Sequence, residues 1–313
     1  MLDCAIIGGG PAGLTAGLYA TRGGLQNVTL FESGVPGGQI TKSSEIENYP
    51  GFFDSSKTGL DFMDTWQKQC FHFGLKHEMK KVKSVEKTGE HFTVTLEGGE
   101  SVEAKTAIVC TGAVPRRAEF KGEDTFYGRG VSTCATCDGF FYKDKPVTVL
   151  GGGDTALEEA FFLSNICSDV YVVHRRDTFR AAPATLERAM RKENIHLITD
   201  SVIEEAVGDA MGLTGVDIRN VKTDEITHMD NTGLFVFVGQ DVKNDVIKDE
   251  NGEFICEVNE QGQAVVNLKM HTSVEGLFVA GDLRIDAPKQ VVSAAGDGSI
   301  AALQAISYIQ EQQ

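Results

Sequence analysis

Apolar residues along the chain fall into short runs punctuated by glycine, and one order of runs occurs twice. Cys4 to Ile7 has the length and apolar character of a buried strand. It leads into Gly8-Gly9-Gly10-Pro11-Ala12-Gly13 and then a helical stretch from Leu14 to Arg22, which Gly23-Gly24 stops. A second strand is predicted over Val28 to Phe31, ending on Glu32. The plan returns with a strand over Val147 to Leu150, then Gly151-Gly152-Gly153-Asp154-Thr155-Ala156. A helix to about Cys167 and a strand over Val170 to Val173 follow, ending on His174-Arg175-Arg176. Phe62, Trp66 and Cys70 recur at helical spacing and predict the core face of a helix over residues 59–73. The polar, acidic stretch 205–233 predicts turns and a hairpin.

Each copy reads strand, G-x-G-x-x-G/A, helix, strand. The first glycine permits a tight turn, the second lets a pyrophosphate approach the backbone, and the third lets helix and strand pack closely. Amides at the helix N-terminus then face the phosphates. One such motif is weak; two in the right context predict an α/β protein with two dinucleotide sites. The residue closing the second strand separates them. Glu32, 19 positions after Gly13, suits a ribose with free hydroxyls. In the second copy His174, Arg175, Arg176 and Arg180 take that place, and a basic cluster suits a 2′-phosphate, hence NADP(H) over NAD(H). Asp154 puts a carboxylate at the second helix N-terminus, so the phosphates are expected to be displaced from it or solvated.

Length and charge narrow the class. At about 100–200 residues per domain, 313 residues imply two domains. The net charge of −16 argues against binding nucleic acid or anionic membrane, and it makes four basic residues within positions 174–180 stand out. No apolar run approaches the roughly 18 residues of a membrane span. The N-terminus lacks a basic segment and cleavage site, so no export signal and a cytoplasmic protein are expected.

Of seven cysteines, Cys4, Cys70, Cys110, Cys167 and Cys256 are scattered and read as small buried hydrophobes. Cys134 and Cys137 form a C-x-x-C followed by Asp138. Zinc would need two further ligands, and the sequence has no second C-x-x-C and no H-x-x-H, so no metal is expected. A merely structural pair of thiols leaves the spacing unexplained. A redox pair fits best, with Asp138 placed to supply or take the proton of thiol exchange. Nicotinamide delivers hydride whereas disulfide opening passes through a thiolate; FAD mediates between them, and its ADP half suits the Glu32 site.

These motifs resemble the low-molecular-weight bacterial thioredoxin reductases from Ala5 to Ile309. The resemblance rests on the Gly8–Gly13 turn, Gly37-Gly38-Gln39, Glu47-Asn48-Tyr49-Pro50-Gly51, Thr111-Gly112 and Cys134-Ala135-Thr136-Cys137-Asp138-Gly139. It continues through Gly151 to Ala156, His174-Arg175-Arg176-Asp177, and Gly281-Asp282 with Gln290. Larger disulfide reductases carry a cysteine pair near the first nucleotide site, and residues 37–46 contain no cysteine.

The resemblance implies two Rossmann-like, three-layer ββα domains. The FAD domain, 1–113 and 242–313, is discontinuous. The NADPH domain, 114–241, is inserted and holds the redox pair. It places FAD on Gly8, Gly10, Pro11, Ala12, Gly13, Phe31, Glu32, Gly34, Gly38, Gln39, Ile40, Asn48, Val82, Thr111 and Gly112. Gly281, Lys289, Gln290 and Val291 join them, with Asp282 on the ribityl chain. A last helix from Ser293 or Ala294 turns its positive end to the flavin. NADPH falls on Gly153, Asp154, Thr155, Glu158, His174, Arg175, Arg176 and Arg180. The implied cycle takes hydride from NADPH to FAD, electrons to the Cys134–Cys137 disulfide, and exchange with oxidised thioredoxin. Cys137 faces the flavin, Cys134 attacks the partner and Asp138 carries the proton. Both the pair and the nicotinamide must reach one flavin, so a rotation between two domain arrangements is expected. Phe140, Phe141 and Tyr142 read either as a docking patch for thioredoxin, helped by Arg129 and Arg117, or as core. A homodimer through the FAD domains is also implied. Another dithiol carrier is the alternative partner, and a slowly turning flavin redox sensor is the more distant alternative.

Overall fold

The computed structural model describes residues 1–43, 46–52, 54 and 56–312. The chain divides into two compact units, Met1–Val114 with Val242–Gln313, and Pro115–Asp241.

In the first unit, β1 (Leu2–Ile7), α1 (Pro11–Arg22), β2 (Val28–Phe31), α2 (Gly59–His72) and β3 (Lys76–Glu78) are followed by β4 (Val82–Thr88), β5 (His91–Leu96) and β6 (Ser101–Val109). The parallel strands lie in the order β3-β2-β1-β6, and the β4–β5 hairpin joins the first half of β6. Strand β17 (Leu277–Val279) pairs with the second half of β6. Alternation decides which face each residue serves. Cys4 and Ile6 face the helical layer, where Leu14, Ala16, Phe62 and Met63 pack. Ala5 and Ile7 face the opposite layer with Val85, Phe92 and Val94. Helix α7 (Val291–Glu311) lies across α1. Its glycine permits that approach: a Cβ on Gly298 would come within 2.1 Å of the Ala12 carbonyl oxygen. Thr58 and Asp61 cap α2 reciprocally, each side chain accepting the other's amide N–H.

The chain leaves this unit after β7 (Ala113–Pro115) and returns through β16 (Gln240–Val242), which pairs with β7. In the second unit, α3 (Glu123–Phe126), β8 (Val131–Ser132), α4 (Ala135–Asp138), β9 (Val147–Leu150) and α5 (Asp154–Leu163) come first. Strand β10 (Val170–Val173), α6 (Pro183–Met190), β11 (Ile195–Ile198) and β15 (Gly233–Val236) complete a parallel sheet in the order β11-β10-β9-β15-β8. Val147, Val149, Val170, Val172 and Phe235 face the helices. Leu150, Val173, Leu234 and Val236 face β12 (Ser201–Asp209), β13 (Gly212–Asn220) and β14 (Ile226–Asp230). Each unit is therefore a helical layer, a parallel sheet and a β layer.

Several bounds differ from the sequence reading. Helix α1 begins at Pro11, because proline at the first helical position loses no hydrogen bond. Helix α5 ends at Leu163 instead of near Cys167. Helix α7 starts at Val291, before Ser293. Residues 205–230 belong, with the start of β12, to a three-stranded antiparallel sheet, more than a hairpin, that buries Ile203, Ala206, Leu213, Val216 and Ile218.

Candidate functional site

In both units the order of the parallel strands reverses beside the strand carrying the glycine turn, where α/β sheets open a crevice for ligands. After β1, Gly8 takes φ +103°, and a Cβ there would meet the Cys110 carbonyl oxygen at 2.5 Å. A Cβ on Gly13 would lie 1.9 Å from the Gly8 carbonyl oxygen, so only glycine lets α1 start this close to the turn. Above Gly10 the space is open, with Gly38 Cα at 3.9 Å from an added Cβ. Glu32 accepts the Gly9 amide at 2.8 Å and the Gly34 amide at 3.1 Å. Ser33 Oγ donates to the same carboxylate at 3.1 Å; with about four acceptor positions on a carboxylate, Glu32 retains about one for a ribose hydroxyl.

Distant segments meet here. The Gly37 amide donates to the Gly9 carbonyl at 2.7 Å, bringing the turn with Gly38, Gln39 and Ile40 beside the glycines. Phe31 is buried and accepts the Gly8 amide through its carbonyl oxygen. Thr111 Oγ1 donates to the Lys243 carbonyl at 2.5 Å, and Gly112 takes φ +69°. A Cβ on Gly281 would touch Ala12 at 3.1 Å. Asn48 Nδ2 donates to Gln290 Oε1 at 3.2 Å, and Gln290 caps α7 just before Val291. Asp282 is pushed up to about 6, chiefly by burial; Lys289 opposes this and Asp297 adds to it. Val82 is buried at the start of β4, in the core face. This turn, its open roof and its carboxylate fit the ADP half of FAD.

Sequence reasoning missed two residues at this site. Asp297, 6% exposed on α7, accepts the Gly281 amide at 3.2 Å and two bonds from Arg284 at 2.7 and 3.1 Å. They fix the turn carrying Asp282. The only signal was an acid inside an otherwise small-residue helical run.

In the second unit, Gly151 takes φ +157° and a Cβ would meet the Phe237 carbonyl at 2.5 Å, whereas nothing lies within 4 Å of one on Gly153. Asp154 is exposed and accepts the Ala182 amide at 2.8 Å, which ties the following loop to the start of α5. Thr155 and Glu158 are exposed on α5. The Arg180 amide donates to the Gly152 carbonyl at 2.8 Å, which holds the basic segment against the turn. Arg175 and Arg176 are exposed, but His174 is 6% exposed, with Nε2 3.1 Å from the Thr178 carbonyl and its ring stacked on Phe179. Burial, the largest cause, holds its pKa below the ordinary imidazole value. The open glycine turn and three exposed arginines, Arg175, Arg176 and Arg180, fit a dinucleotide bearing a 2′-phosphate.

The redox turn starts at the end of β8, on the same edge of the same sheet. Only β15 separates β8 from β9, so the strands lie about 10 Å apart. Cys134 and Cys137 form a disulfide with Cα atoms 5.3 Å apart. Cys134 is half-buried and Cys137 exposed. Burial raises the Asp138 carboxyl pKa, so it keeps a proton at higher pH than an ordinary aspartate. Phe140 and Phe141 are 65% and 42% exposed, which places them on the surface, while Tyr142 packs edge-on against Phe235. Arg129 is exposed, and Arg117 lies over the Tyr127 ring and pairs with Asp124. Cys4, Cys70, Cys110, Cys167 and Cys256 are free thiols and buried. Burial pushes Cys4 and Cys70 up to about 12 and Cys167 and Cys256 to about 11, which makes them inert nucleophiles. Among the described residues, no cluster of His, Cys, Asp and Glu is arranged for a metal, and no helix is long and apolar enough to cross a membrane.

The profile of the pyridine nucleotide-disulphide oxidoreductases matches residues 2–298. A thioredoxin reductase of Helicobacter pylori is 58% identical over 310 residues, covering 99% of each chain. One of Mycolicibacterium smegmatis is 39% identical over 311 residues, covering 99% of this chain and 97% of its own. The crystal structure of thioredoxin reductase from Streptococcus pyogenes superposes with a TM-score of 0.92 at 38% identity and covers 99% of both chains.

Proposed function

The chain belongs to the pyridine nucleotide-disulphide oxidoreductases, in their thioredoxin reductase branch, and from that premise we propose how its residues divide the work. The protein is an NADPH-dependent flavoenzyme that reduces the disulfide of thioredoxin. The observation that carries this reading is the Cys134–Cys137 disulfide on the sheet edge that also carries a glycine turn with adjoining arginines. Bound FAD supplies the link between a two-electron hydride donor and a disulfide.

The first unit is the FAD domain and the second the NADPH domain. Glu32 binds the adenosine ribose of FAD, the Gly8–Gly13 turn its pyrophosphate and Asp282 its ribityl chain. Asn48 and Gln290 hold the flavin side, and the N-terminal end of α7 favours negative charge there. Arg175, Arg176 and Arg180 clamp the NADPH 2′-phosphate, and His174 braces the segment that carries them. Cys134 attacks the thioredoxin disulfide and Cys137 resolves the mixed disulfide. Asp138 carries the proton at Cys137 Sγ, a task its raised pKa suits. Exposed Phe140 and Phe141, with Arg129, form the thioredoxin docking patch.

The protein acts as a cytoplasmic homodimer through its first unit, where Tyr19 on α1, Leu60 on α2 and Val292 and Leu303 on α7 are exposed. The test is direct: the purified yellow protein oxidises NADPH rapidly with oxidised thioredoxin and slowly without it. Flavin bleaching by NADPH with thioredoxin left oxidised would retain the cofactors and remove the partner.

A further inference from the structure

Thr136 lies between the two cysteines of the redox turn, and its Oγ1 is 3.4 Å from Cys134 Sγ. A disulfide sulfur carries no proton, so in this contact the hydroxyl donates and the sulfur accepts. The turn holds the two groups together. Cys134 is extended and precedes α4, and its amide N–H donates to Ser132 Oγ at 3.0 Å. Its carbonyl accepts the Asp138 amide at 3.1 Å. Ala135, between the two residues, is fully buried in the core of the second unit. These anchors are backbone and core contacts, none of them made by a sulfur, so they persist when the disulfide opens. Thr136 itself is exposed, and its branched β-carbon restricts the directions its hydroxyl can take.

A neutral sulfur is a weak acceptor. A thiolate carries a full negative charge, and a hydrogen bond to a charged group is about twice as strong as one between neutral groups. On reduction the Thr136 hydroxyl therefore stabilises the thiolate of Cys134 more than its thiol. The contact is made to the first sulfur of the pair, the one read as the attacking nucleophile.

We propose that Thr136 stabilises the Cys134 thiolate through its hydroxyl and so prepares Cys134 to attack the partner disulfide. This rests on Cys134 as the nucleophile. In the step it serves, the Cys134 thiol gives its proton to water. The thiolate bonds to one partner sulfur and expels the other, which takes up a proton. Cys137 then passes its proton to Asp138 and attacks Cys134 Sγ. The internal disulfide forms, and the second partner sulfur leaves and recovers the proton. The protein dithiol is oxidised and the partner disulfide reduced.

The ionisable groups around the turn are Cys137 and Asp138 on α4, Tyr142 on the following turn, and Asp154, Glu158 and Glu159 on α5, which packs on α4. Tyr127 Oη lies 3.2 Å from Thr133 Oγ1, and Arg117 stands over the Tyr127 ring. Burial raises the Asp138 carboxyl and pushes Tyr142 up to about 12. Replacing Thr136 leaves all of these groups in place, so a change in Cys134 ionisation reports on the hydroxyl.

The experiment is alkylation of Cys134 by iodoacetamide, followed against pH in FAD-loaded Cys137→Ala protein, whose other five thiols are buried. Thr136→Val keeps the shape and loses the hydroxyl. It is expected to move the midpoint up by about one pH unit, because a donor to the charged form is lost, and Thr136→Ser restores it. A thiolate of higher pKa is scarcer at neutral pH but more nucleophilic. The valine variant therefore reacts about threefold slower below the midpoint and about threefold faster above it. With both cysteines present, single-turnover reoxidation of the reduced holoenzyme by oxidised thioredoxin slows to the same extent at neutral pH. Thr136→Ala repeats the deletion if valine disturbs the turn. An unmoved midpoint, a rate lowered equally at every pH, or Val and Ser variants that behave alike overturns the role of Thr136. A mixed disulfide with thioredoxin that forms through Cys137 in Cys134→Ala, and not through Cys134 in Cys137→Ala, overturns the nucleophile assignment itself, a separate outcome.

Discussion

Glu32 and His174 occupy equivalent places in the two units. Each follows the second parallel strand, and each lies over the middle glycine of its turn: a Cβ on Gly9 would meet Glu32 Cγ at 2.9 Å, and one on Gly152 would meet His174 Nδ1 at 2.2 Å. The chemistry then parts. Glu32 accepts two backbone amides, whereas His174 is buried against Thr178 and Phe179 and leaves Arg175 and Arg176 exposed. One position therefore offers an acceptor for hydroxyls, and the other braces donors for a phosphate.

Replacing Glu32 tests the first half of this contrast. Glu32→Ala removes the partner of the Gly9 and Gly34 amides together with the ribose acceptor. Charge-assisted hydrogen bonds contribute about 1.5–3 kcal/mol each, so FAD affinity is expected to fall at least about tenfold. Flavin retained after gel filtration, backed by a titration of the stripped protein, measures it. Unchanged retention would place the ribose elsewhere.

The exposed arginines test the second half. Arg175→Ala with Arg176→Ala is expected to raise the KM for NADPH by about 10–100-fold and leave that for NADH nearly unchanged. Since burial lowers the His174 pKa, the NADPH KM is expected to show no ionisation of this ring at the ordinary imidazole value, any such step lying at lower pH. A steep rise there in wild type would put a charged His174 on the phosphate.

Both glycine turns and the redox pair were legible in the sequence because glycine spacing and C-x-x-C express local geometry. His174 was not separable from its arginine neighbours, since burial is decided by Gly152 and Phe179. The β12–β14 layer was partly hidden because its alternation is broken by a shift between Ile203 and Glu205. The Asp297–Arg284 pair was silent because the packing of α7 against the preceding turn sets its partners. Asp154 shows the same: its carboxylate accepts the amide of Ala182, 28 residues away, a partner that nothing in the local sequence marks.

Asp282 ties stability to pH. Its folded pKa is raised from 3.8 to about 6. The stability conferred by its protonated form is fully present below pH 3.8 and is lost as the pH rises through about 6. At neutral pH the ionised carboxyl costs up to about 3 kcal/mol. Asp282→Asn is expected to raise the Tm of flavin-stripped protein at neutral pH, with the difference closing in acid, and to weaken FAD retention. A Tm difference independent of pH would contradict the burial account.

Phe141 tests docking. Exposed next to the redox turn, it is expected on truncation to alanine to raise the KM for thioredoxin several-fold and leave reduction of a small aromatic disulfide unchanged. Interface truncations that matter cost about 1–2 kcal/mol or more. Equal losses on both substrates would assign Phe141 to the fold of the turn instead.

The most direct measurement is NADPH oxidation with oxidised thioredoxin, comparing wild type with Cys137→Ser. The account predicts fast turnover in wild type, none above background in the variant, and flavin bleaching by NADPH in both. A variant that still reduces thioredoxin would contradict electron passage through the Cys134–Cys137 pair.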